Sequence, residues 1–275
     1  MLSSRESQFR NCIHILCTRT ESSFFSPFIQ LISRETFSKL PEHGEPEIKR
    51  CALDQTLLSL VFLGVEQGSG NFLSKLIDPP SQAAVDSAIF SLVKIGALIA
   101  SIEERKVTLT PLGLHLAGIP APPCIGKLLV MGALLGCRSA ALAVAAGLSG
   151  KSPFLRIDRR SIDNDTKEGY KNKLILDERD KLFDTVGNSD HAMLAAIYTG
   201  WDSIYGGDGL KRRYLDSLGL STFAMRDMKQ LAKQLDSALA NAGFRSTHDS
   251  DINGKSWRII RSCIVSALAP AQIAR

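Results

Sequence analysis

The chain has 275 residues, of which 44% are hydrophobic and 22% charged, and 33 Lys and Arg against 28 Asp and Glu give a net charge of +5. This composition excludes a collagen-like, low-complexity or disordered chain, and six Cys without a C-x-x-C pair exclude a disulfide scaffold. Arg138 interrupts the most apolar stretch, 128–150, which argues against a membrane span. The sequence therefore predicts an intracellular, soluble protein of the nucleus or cytoplasm, whose mild basic excess permits a nucleic-acid partner without proving one.

Residues 1–45 show no firm helical or strand pattern. Arg5, Arg10 and Arg19 among several Ser are weakly typical of a transit peptide, but no amphipathic face accompanies them. The sequence favours an irregular N-terminal segment, with a targeting segment as the alternative.

Residues 46–118 combine helical patterns with a hairpin pattern. Apolar residues at helical spacing predict helices over 53–63 and 82–95. The runs 97–100 and 106–110 are β-prone and predict a two-stranded hairpin. Helices followed by such a hairpin are the outline of a winged-helix module.

A proline-rich linker leads into residues 119–250, which predict a helical bundle. The part 122–150 is rich in Ala and Leu and has no acidic residue, so we expect a helical hairpin buried in the bundle. The stretch 151–181 holds nine basic and seven acidic residues among 31, which indicates a solvated and partly flexible insertion. Helical patterns resume at Ser189 and continue to Phe244.

Two fragments imitate nucleotide-binding motifs. Gly147–Ser152 looks like the end of a phosphate loop, but the first Gly of that motif is replaced by Ala145 and Pro153 follows. Leu174–Asp180 imitates a strand ending in a magnesium-binding D-E-x-D, which needs an upstream phosphate loop. We interpret both as coincidental. The five His show no metal-ligand spacing, so the sequence predicts no metal site. It also contains no G-x-S-x-G motif or other sign of a catalytic triad, so we predict no catalytic residue.

A basic cluster between residues 210 and 233 is the main electrostatic signal. Three of its members, at i, i+3 and i+7, share one helix face and could contact a phosphate backbone; the alternative is a solvated helix face. With Lys151 added, the predicted nucleic-acid-binding residues are Lys151, Lys211, Arg212, Arg213, Arg226, Lys229 and Lys233.

Aromatic residues near this cluster permit two interpretations. Tyr198, Trp201 and Tyr205 could stack on bases. Aromatic residues at helical spacing are more often part of a core, and the sequence favours that interpretation.

Several short segments, in the same order along the chain, resemble the C-terminal part of DEAH/RHA-type ATP-dependent RNA helicases. The resemblance runs from about residue 30 to the C-terminus. The matching segments are Leu31–His43 with its L-P-E-H, Phe72–Lys75, Asp78–Ser81, Ile95–Leu98, Leu109–Gly113, Pro123–Lys127, Ser152–Phe154 and Ser189–His191.

The resemblance implies a mainly α fold, in which a winged helix precedes a ratchet-like helical bundle, truncated before an OB-fold. It divides the chain into the tail of a RecA-like domain at 1–45, a winged helix at 46–118, a ratchet-like bundle at 119–250 with the charged insertion at 151–181, and the start of an OB-fold at 251–275.

In this family the phosphate loop, the D-E-A-H box and an arginine-bearing motif all precede L-P-E-H, and this sequence has none of them. The resemblance therefore implies an accessory fragment that binds single-stranded RNA and couples it to RecA-like motor domains absent from this chain. ATP and magnesium would belong to those domains, so we expect no cofactor and no ATP hydrolysis here. The alternatives are a helical protein-interaction module and a free-standing winged-helix nucleic-acid binder.

Overall fold

The structure is a computed structural model. It describes residues 14–17, 27–30, 33–40, 44–65, 72–101, 106–157 and 166–269. Two compact units, Met1–Arg50 and Cys51–Arg275, divide the chain. The described residues are mainly helical, which confirms the predicted class.

The described part of the N-terminal unit contains a pair of short strands. β1 (His14–Cys17) pairs antiparallel with β2 (Pro27–Gln30), and two short helices follow, α1 (Arg34–Ser38) and α2 (Glu47–Arg50). Ser33 caps α1. The prediction of an irregular segment is therefore wrong for these residues, because two short strands satisfy each other's backbone groups without needing a long apolar pattern.

The second unit begins with two helices and a β-hairpin, as the sequence predicts. Ser81 caps the second helix by accepting a hydrogen bond from the N–H of Ala84, and Gly96 ends it in the left-handed conformation with φ 86°. The elements are α3 (Asp54–Phe62), a 3-10 turn (Leu73–Lys75), α4 (Gln82–Ile95), β3 (Leu98–Ser101), β4 (Lys106–Leu109) and α5 (Pro111–Ala117).

The hairpin is fastened to the helices on both sides of it. β3 and β4 are antiparallel, with Leu98 opposite Leu109. The hydroxyl of Thr110 donates to the carbonyl of Gly96 at 2.7 Å and accepts from the N–H of Gly113 at 2.9 Å. One side chain therefore connects the end of α4 with the start of α5.

Seven further helices lie in the described residues from 119 to 269. They are α6 (Pro123–Leu134), α7 (Arg138–Ser149), α8 (Lys167–Thr185), α9 (Asp190–Asp202), α10 (Asp208–Ser217), α11 (Thr222–Asn241) and α12 (Trp257–Leu268). The predicted helical hairpin corresponds to α6 and α7. Among the described residues, no helix is both long and apolar enough to cross a membrane.

Helix α7 is the centre of this packing, since α6, α9, α11 and α12 all contact it. Its residues from Ala140 to Ala146 are buried. A Cβ added at Gly132 on α6 would clash with the Cβ of Ala141 on α7. Small side chains thus let the helix backbones approach closely.

The second half of the charged stretch 151–181 belongs to a helix that the sequence pattern does not indicate. Helix α8 runs for 19 residues, and Thr166 caps it by accepting from the N–H of Gly169. Its buried residues are Gly169 and Ile175. High charge density concealed the helix because two buried positions give almost no apolar stripe. Residues 158–165 lie outside the described residues.

The described part of 251–275 consists of turns and helix α12. Asp251 caps α7 from the turns: one of its carboxylate oxygens accepts from the N–H of Ser139 at 2.7 Å and the other from its hydroxyl at 2.5 Å. The thiol of Cys263 on α12 donates to the carbonyl of Leu128 on α6 at 3.6 Å. Helical packing therefore extends to Leu268, and the predicted start of an OB-fold at 251 receives no support from the described residues.

Arg138 is the one charged residue that the structure buries among the described residues, with 3% of its surface exposed. Its Nε and Nη2 both lie 2.7 Å from Oδ1 of Asp236 on α11. Its Nη1 donates to the carbonyl of Phe244 at 2.7 Å. The guanidinium thus joins the start of α7 to α11 and to the chain that follows it.

Removing the side chain of Arg138 should strongly destabilise the protein. We expect Arg138→Ala to lower the free energy of unfolding by about 1.5–3 kcal/mol, because charge-assisted hydrogen bonds to the carbonyl of Phe244 and to Asp236 would be lost, while Asp236, whose side chain is 42% exposed, could still be hydrated. Urea unfolding measures this value. The matched control is Lys181→Ala, which removes an ion pair to Glu178 whose lysine is 71% exposed, and should leave the free energy of unfolding nearly unchanged. Equal losses for the two variants would contradict the assignment.

Close packing between α6 and α7 gives a second stability prediction. Gly132→Ala should lower the free energy of unfolding by about 1–3 kcal/mol, because the added methyl group overlaps the Cβ of Ala141. Gly209→Ala on α10 is the control, since nothing lies within 4 Å of its added Cβ. That variant should be neutral or stabilising by up to about 1 kcal/mol. A neutral Gly132→Ala variant would show that the helices are not in close contact.

Candidate nucleic-acid interface

Trp201, in the last turn of α9, gathers side chains from three helices. The ammonium of Lys211 on α10 lies 5.4 Å from the centroid of its ring, and that of Lys229 on α11 lies 5.7 Å from it. Lys229 also donates to Oδ1 of Asp202 at 2.5 Å. The indole N–H has no hydrogen-bond partner among the described residues. Packing and cation–π attraction therefore hold the ring.

The predicted basic residues divide into engaged and exposed groups. Lys211 and Lys229 are half-buried against Trp201. The structure brings these two together. The exposed members are Arg212 and Arg213 on α10, Arg226 and Lys233 on α11, and Lys151 beyond the end of α7.

Helix α11 presents its basic residues to solvent because its other face packs on α7. Ser221 caps the helix by accepting from the N–H of Ala224. Arg226 and Lys233 lie on the exposed side, two turns apart. The buried residues of the opposite side are Ala224, Met225, Met228, Ala232, Leu235 and Leu239.

An extended segment holds Lys151 near the start of α11. The carbonyl of Pro153 accepts from the N–H of Ser221 at 2.8 Å, and the N–H of Leu155 donates to the carbonyl of Gly219 at 3.0 Å. Lys151 comes two residues before Pro153. Its position relative to Arg226 and Lys233 is therefore set by backbone pairing.

Arg179 on α8 fixes the connection between α10 and α11. Its Nε and Nη2 donate to the carbonyls of Leu218 and Gly219, both at 2.7 Å, and its guanidinium lies 5.1 Å from the ring centroid of Phe154. Burial lowers the pKa of this guanidinium. Arg179 therefore positions the site from inside.

The structure separates the three aromatic candidates. Trp201 and Tyr198 are buried, with ring centroids 6.2 Å apart, so both belong to the core. Burial and the nearby carboxylate of Asp202 raise the pKa of Tyr198 to about 12. Tyr205, in the loop before α10, is 97% exposed. Stacking on a base is thus excluded for the first two rings as they stand.

The two nucleotide-like fragments do not fit a nucleotide. Gly147 is a residue of α7, where an added Cβ would clash with Leu194, so packing accounts for this glycine. Asp177 and Asp180 lie on α8 and do not follow a strand. Within the part of the chain that the structure describes, no group of three His, Cys, Asp or Glu could hold a metal ion. Neither fragment therefore has the local structure of the nucleotide-binding motif that it imitates.

The sequence did not reveal two features of this site: arginines that bind carbonyl groups inside the fold, and an exposed phenylalanine beside the basic residues. Arg138 and Arg179 look like surface cations in the sequence, but both bind carbonyl groups inside the fold. Phe223, which is 67% exposed, is not among the aromatic candidates that the sequence offered. The sequence spacing could have identified this residue, because Phe223 precedes Arg226 by three residues and so shares a helix face with it.

Comparison with known proteins identifies a domain within the helical part. Residues 122–194 match the model of a helicase-associated domain, HA2, ratchet-like. The match begins at the residue before α6 and ends within α9. Helices α6 to α8 and the first part of α9 therefore match a ratchet-like helicase-associated domain.

Most of the chain is also similar to DExH-box helicases. It is 33% identical over 229 residues to the ATP-dependent RNA helicase dhx29 of Xenopus laevis, covering 82% of this chain and 15% of that protein. It is 32% identical over 240 residues to the ATP-dependent DNA/RNA helicase DHX36 of Homo sapiens, covering 85% of this chain and 22% of that protein. It is 35% identical over 218 residues to the chloroplastic DExH-box ATP-dependent RNA helicase DExH4 of Arabidopsis thaliana, covering 78% of this chain and 15% of that protein.

These similarities confirm the resemblance found in the sequence. The chain corresponds to the C-terminal helicase-associated region of DEAH/RHA-type RNA helicases. It spans between 15% and 22% of the length of these three relatives.

The raised pKa of Tyr198 predicts a pH dependence of stability. Its phenol ionises at about 12 in the folded protein against an ordinary value of 10.0. The neutral phenol therefore stabilises the fold fully below pH 10, and this contribution is lost as the pH rises from 10 towards 12.

Urea unfolding across this pH range should show a smaller decline for Tyr198→Phe than for the wild type. Tyr170→Phe, which changes a 56% exposed ring on α8, is the control and should follow the wild type. Parallel curves for Tyr198→Phe and the wild type would contradict the assignment.

Proposed function

We propose that this chain is an accessory region of an ATP-dependent RNA helicase that binds single-stranded RNA and couples it to RecA-like motor domains absent from the chain. The observation that carries the proposal is the set of exposed cations on α10 and α11: Arg212, Arg213, Arg226 and Lys233. Contacts to phosphates from such a surface give affinity without sequence preference. The similarity to RNA helicases supports RNA as the polyanion.

The half-buried lysines give this surface a fixed geometry. Lys211 and Lys229 share one ring, so α10 and α11 keep their exposed cations at fixed relative positions. Asp202 neutralises Lys229, so this lysine contributes less to the surface potential than Arg226 and Lys233. We assign Lys211 and Lys229 to positioning and the exposed cations, with Lys151, to backbone contacts.

The proposal extends to the domains on either side of the ratchet-like helices. Two helices followed by an antiparallel hairpin, α3 to β4, support a winged helix for 46–118. An OB-fold would follow α12. ATP and magnesium would act in the motor domains, and the chain itself would not hydrolyse ATP.

A free-standing winged-helix nucleic-acid binder is less well supported than this function. Such a module needs a basic recognition helix. Lys94 is the only basic residue of α4, and its ammonium lies 5.7 Å from the ring centroid of Phe90 on the same helix. A helical protein-interaction module would not need the exposed cations of α11.

RNA binding can be tested by fluorescence anisotropy with the full chain and a labelled oligouridylate of about 12 nucleotides, a length within the range of single-strand sites. Between about 50 and 200 mM salt, the logarithm of the binding constant should fall linearly, with a slope of about −0.7 for each phosphate contacted. The double variant Arg226→Glu, Lys233→Glu should bind at least about tenfold more weakly and with a shallower slope.

The control for this experiment is Arg258→Glu, a charge reversal at an exposed position of α12. This variant should lose much less affinity than the α11 variant. Affinity that does not depend on salt, or equal losses for the two variants, would argue for the protein-interaction alternative.

A further inference from the structure

Helix α11 carries an aromatic ring on the same face as its exposed cations. Phe223, Arg226, Gln230 and Lys233 are spaced i, i+3, i+7 and i+10, and all four are exposed. We call these four residues the Phe223 face. The face lies opposite the side of α11 that packs on α7.

A single exposed apolar side chain is ordinary on a protein surface. Phe223 is distinguished by its neighbours, because the next exposed side chains along its face are a guanidinium, an amide and an ammonium. Phe90 has the same 67% exposure, but the described cation beside it is Lys94 alone. The carboxylate of Asp227 lies at the edge of the Phe223 face, four residues after Phe223.

The spacing of the face fits one nucleotide and its flanking phosphates. At a rise of about 1.5 Å per residue, Arg226 lies about 4.5 Å and Lys233 about 15 Å further along the helix axis than Phe223. A base can stack on an aromatic ring whatever its identity. The amide of Gln230 can both donate to and accept from a base edge or a ribose hydroxyl.

We propose that the Phe223 face binds a nucleobase of single-stranded RNA, with Phe223 as the stacking platform and Arg226 and Lys233 on neighbouring phosphates. This inference rests on the proposed function and adds a base contact to it. Two cations against one carboxylate favour an anionic partner over a basic or neutral one that would bind Phe223 through apolar contact alone, and the similarity to RNA helicases supports RNA as that anion.

The test separates the base from the backbone. Anisotropy is measured with the full chain on oligouridylate and on an abasic ribose-phosphate oligomer of equal length. Phe223→Ala should weaken oligouridylate binding by about five- to a hundredfold, the range that loss of one stacked base produces. It should leave binding to the abasic oligomer unchanged. Phe223→Tyr keeps a ring and should retain the wild-type affinity.

Phe90→Ala is the matched control, because it removes an equally exposed phenylalanine from α4. It should leave the affinity for oligouridylate unchanged. Thermal unfolding should show that Phe223→Ala is folded, as expected for a side chain on the surface.

Two results would overturn the inference while leaving the proposed function intact: equal affinities of Phe223→Ala and the wild type for oligouridylate, or equal losses on both oligomers. Either result, with salt-dependent binding retained, would leave Phe223 as a contact for another protein surface. Wild-type protein that binds neither oligomer would instead overturn the proposed function and, with it, the base contact.

Discussion

Close packing around helix α7 is the constraint on which the second unit depends. Five of its seven buried residues from 140 to 146 are alanines, and Gly132 and Gly147 lie where a Cβ would clash with a neighbouring helix. Interfaces between such small side chains have few alternative arrangements, because a shift of one residue brings larger groups into contact. The side of α11 that faces α7 is thereby fixed, and so is the side that faces solvent.

Basic side chains hold the ends of these helices together. The number of basic residues in the chain therefore overstates the number of cations that its surface offers to a ligand. Each of five side chains donates to a backbone carbonyl at or beyond the end of another helix, where helix carbonyls lack partners. The positive charge of the four Lys and Arg side chains among them also matches the negative end of the helix dipole. Counting charged residues in the sequence does not distinguish these carbonyl-bound side chains from solvent-exposed cations, and only the exposed cations are free to attract a polyanion. These donors and their acceptors are His115 to Ala242, Lys127 to Ile95, Arg138 to Phe244, Arg179 to Gly219 and Arg261 to Gly187.

Sequence patterns predicted the elements with strong local signals and missed those that depend on distant partners. Ser81 and Gly96 delimit α4 because capping is local, and the hairpin after it has a clear change of period. Helix α8 was missed because only Gly169 and Ile175 are buried on it, and its anchor, Arg179, binds carbonyls about 40 residues away. The basic residues of α10 and α11 remain candidates from the sequence, but their division into ring-bound and exposed groups follows from Trp201, whose tertiary surroundings no local pattern encodes.

The candidate interface consists of the cations that remain exposed on α10 and α11 after the core has fixed the orientation of these helices. Trp201 is buried, so the cations on its faces are partly removed from water, and the pairing of Lys229 with Asp202 compensates one of those charges. Affinity for a polyanion must then come from cations that still have full hydration to exchange for phosphate, such as Arg226 and Lys233. These residues are useful only if their spacing is fixed, since a mobile helix would lose entropy on binding. In the proposed function, the half-buried lysines and the exposed cations therefore have complementary roles: the first group sets the geometry in which the second would bind.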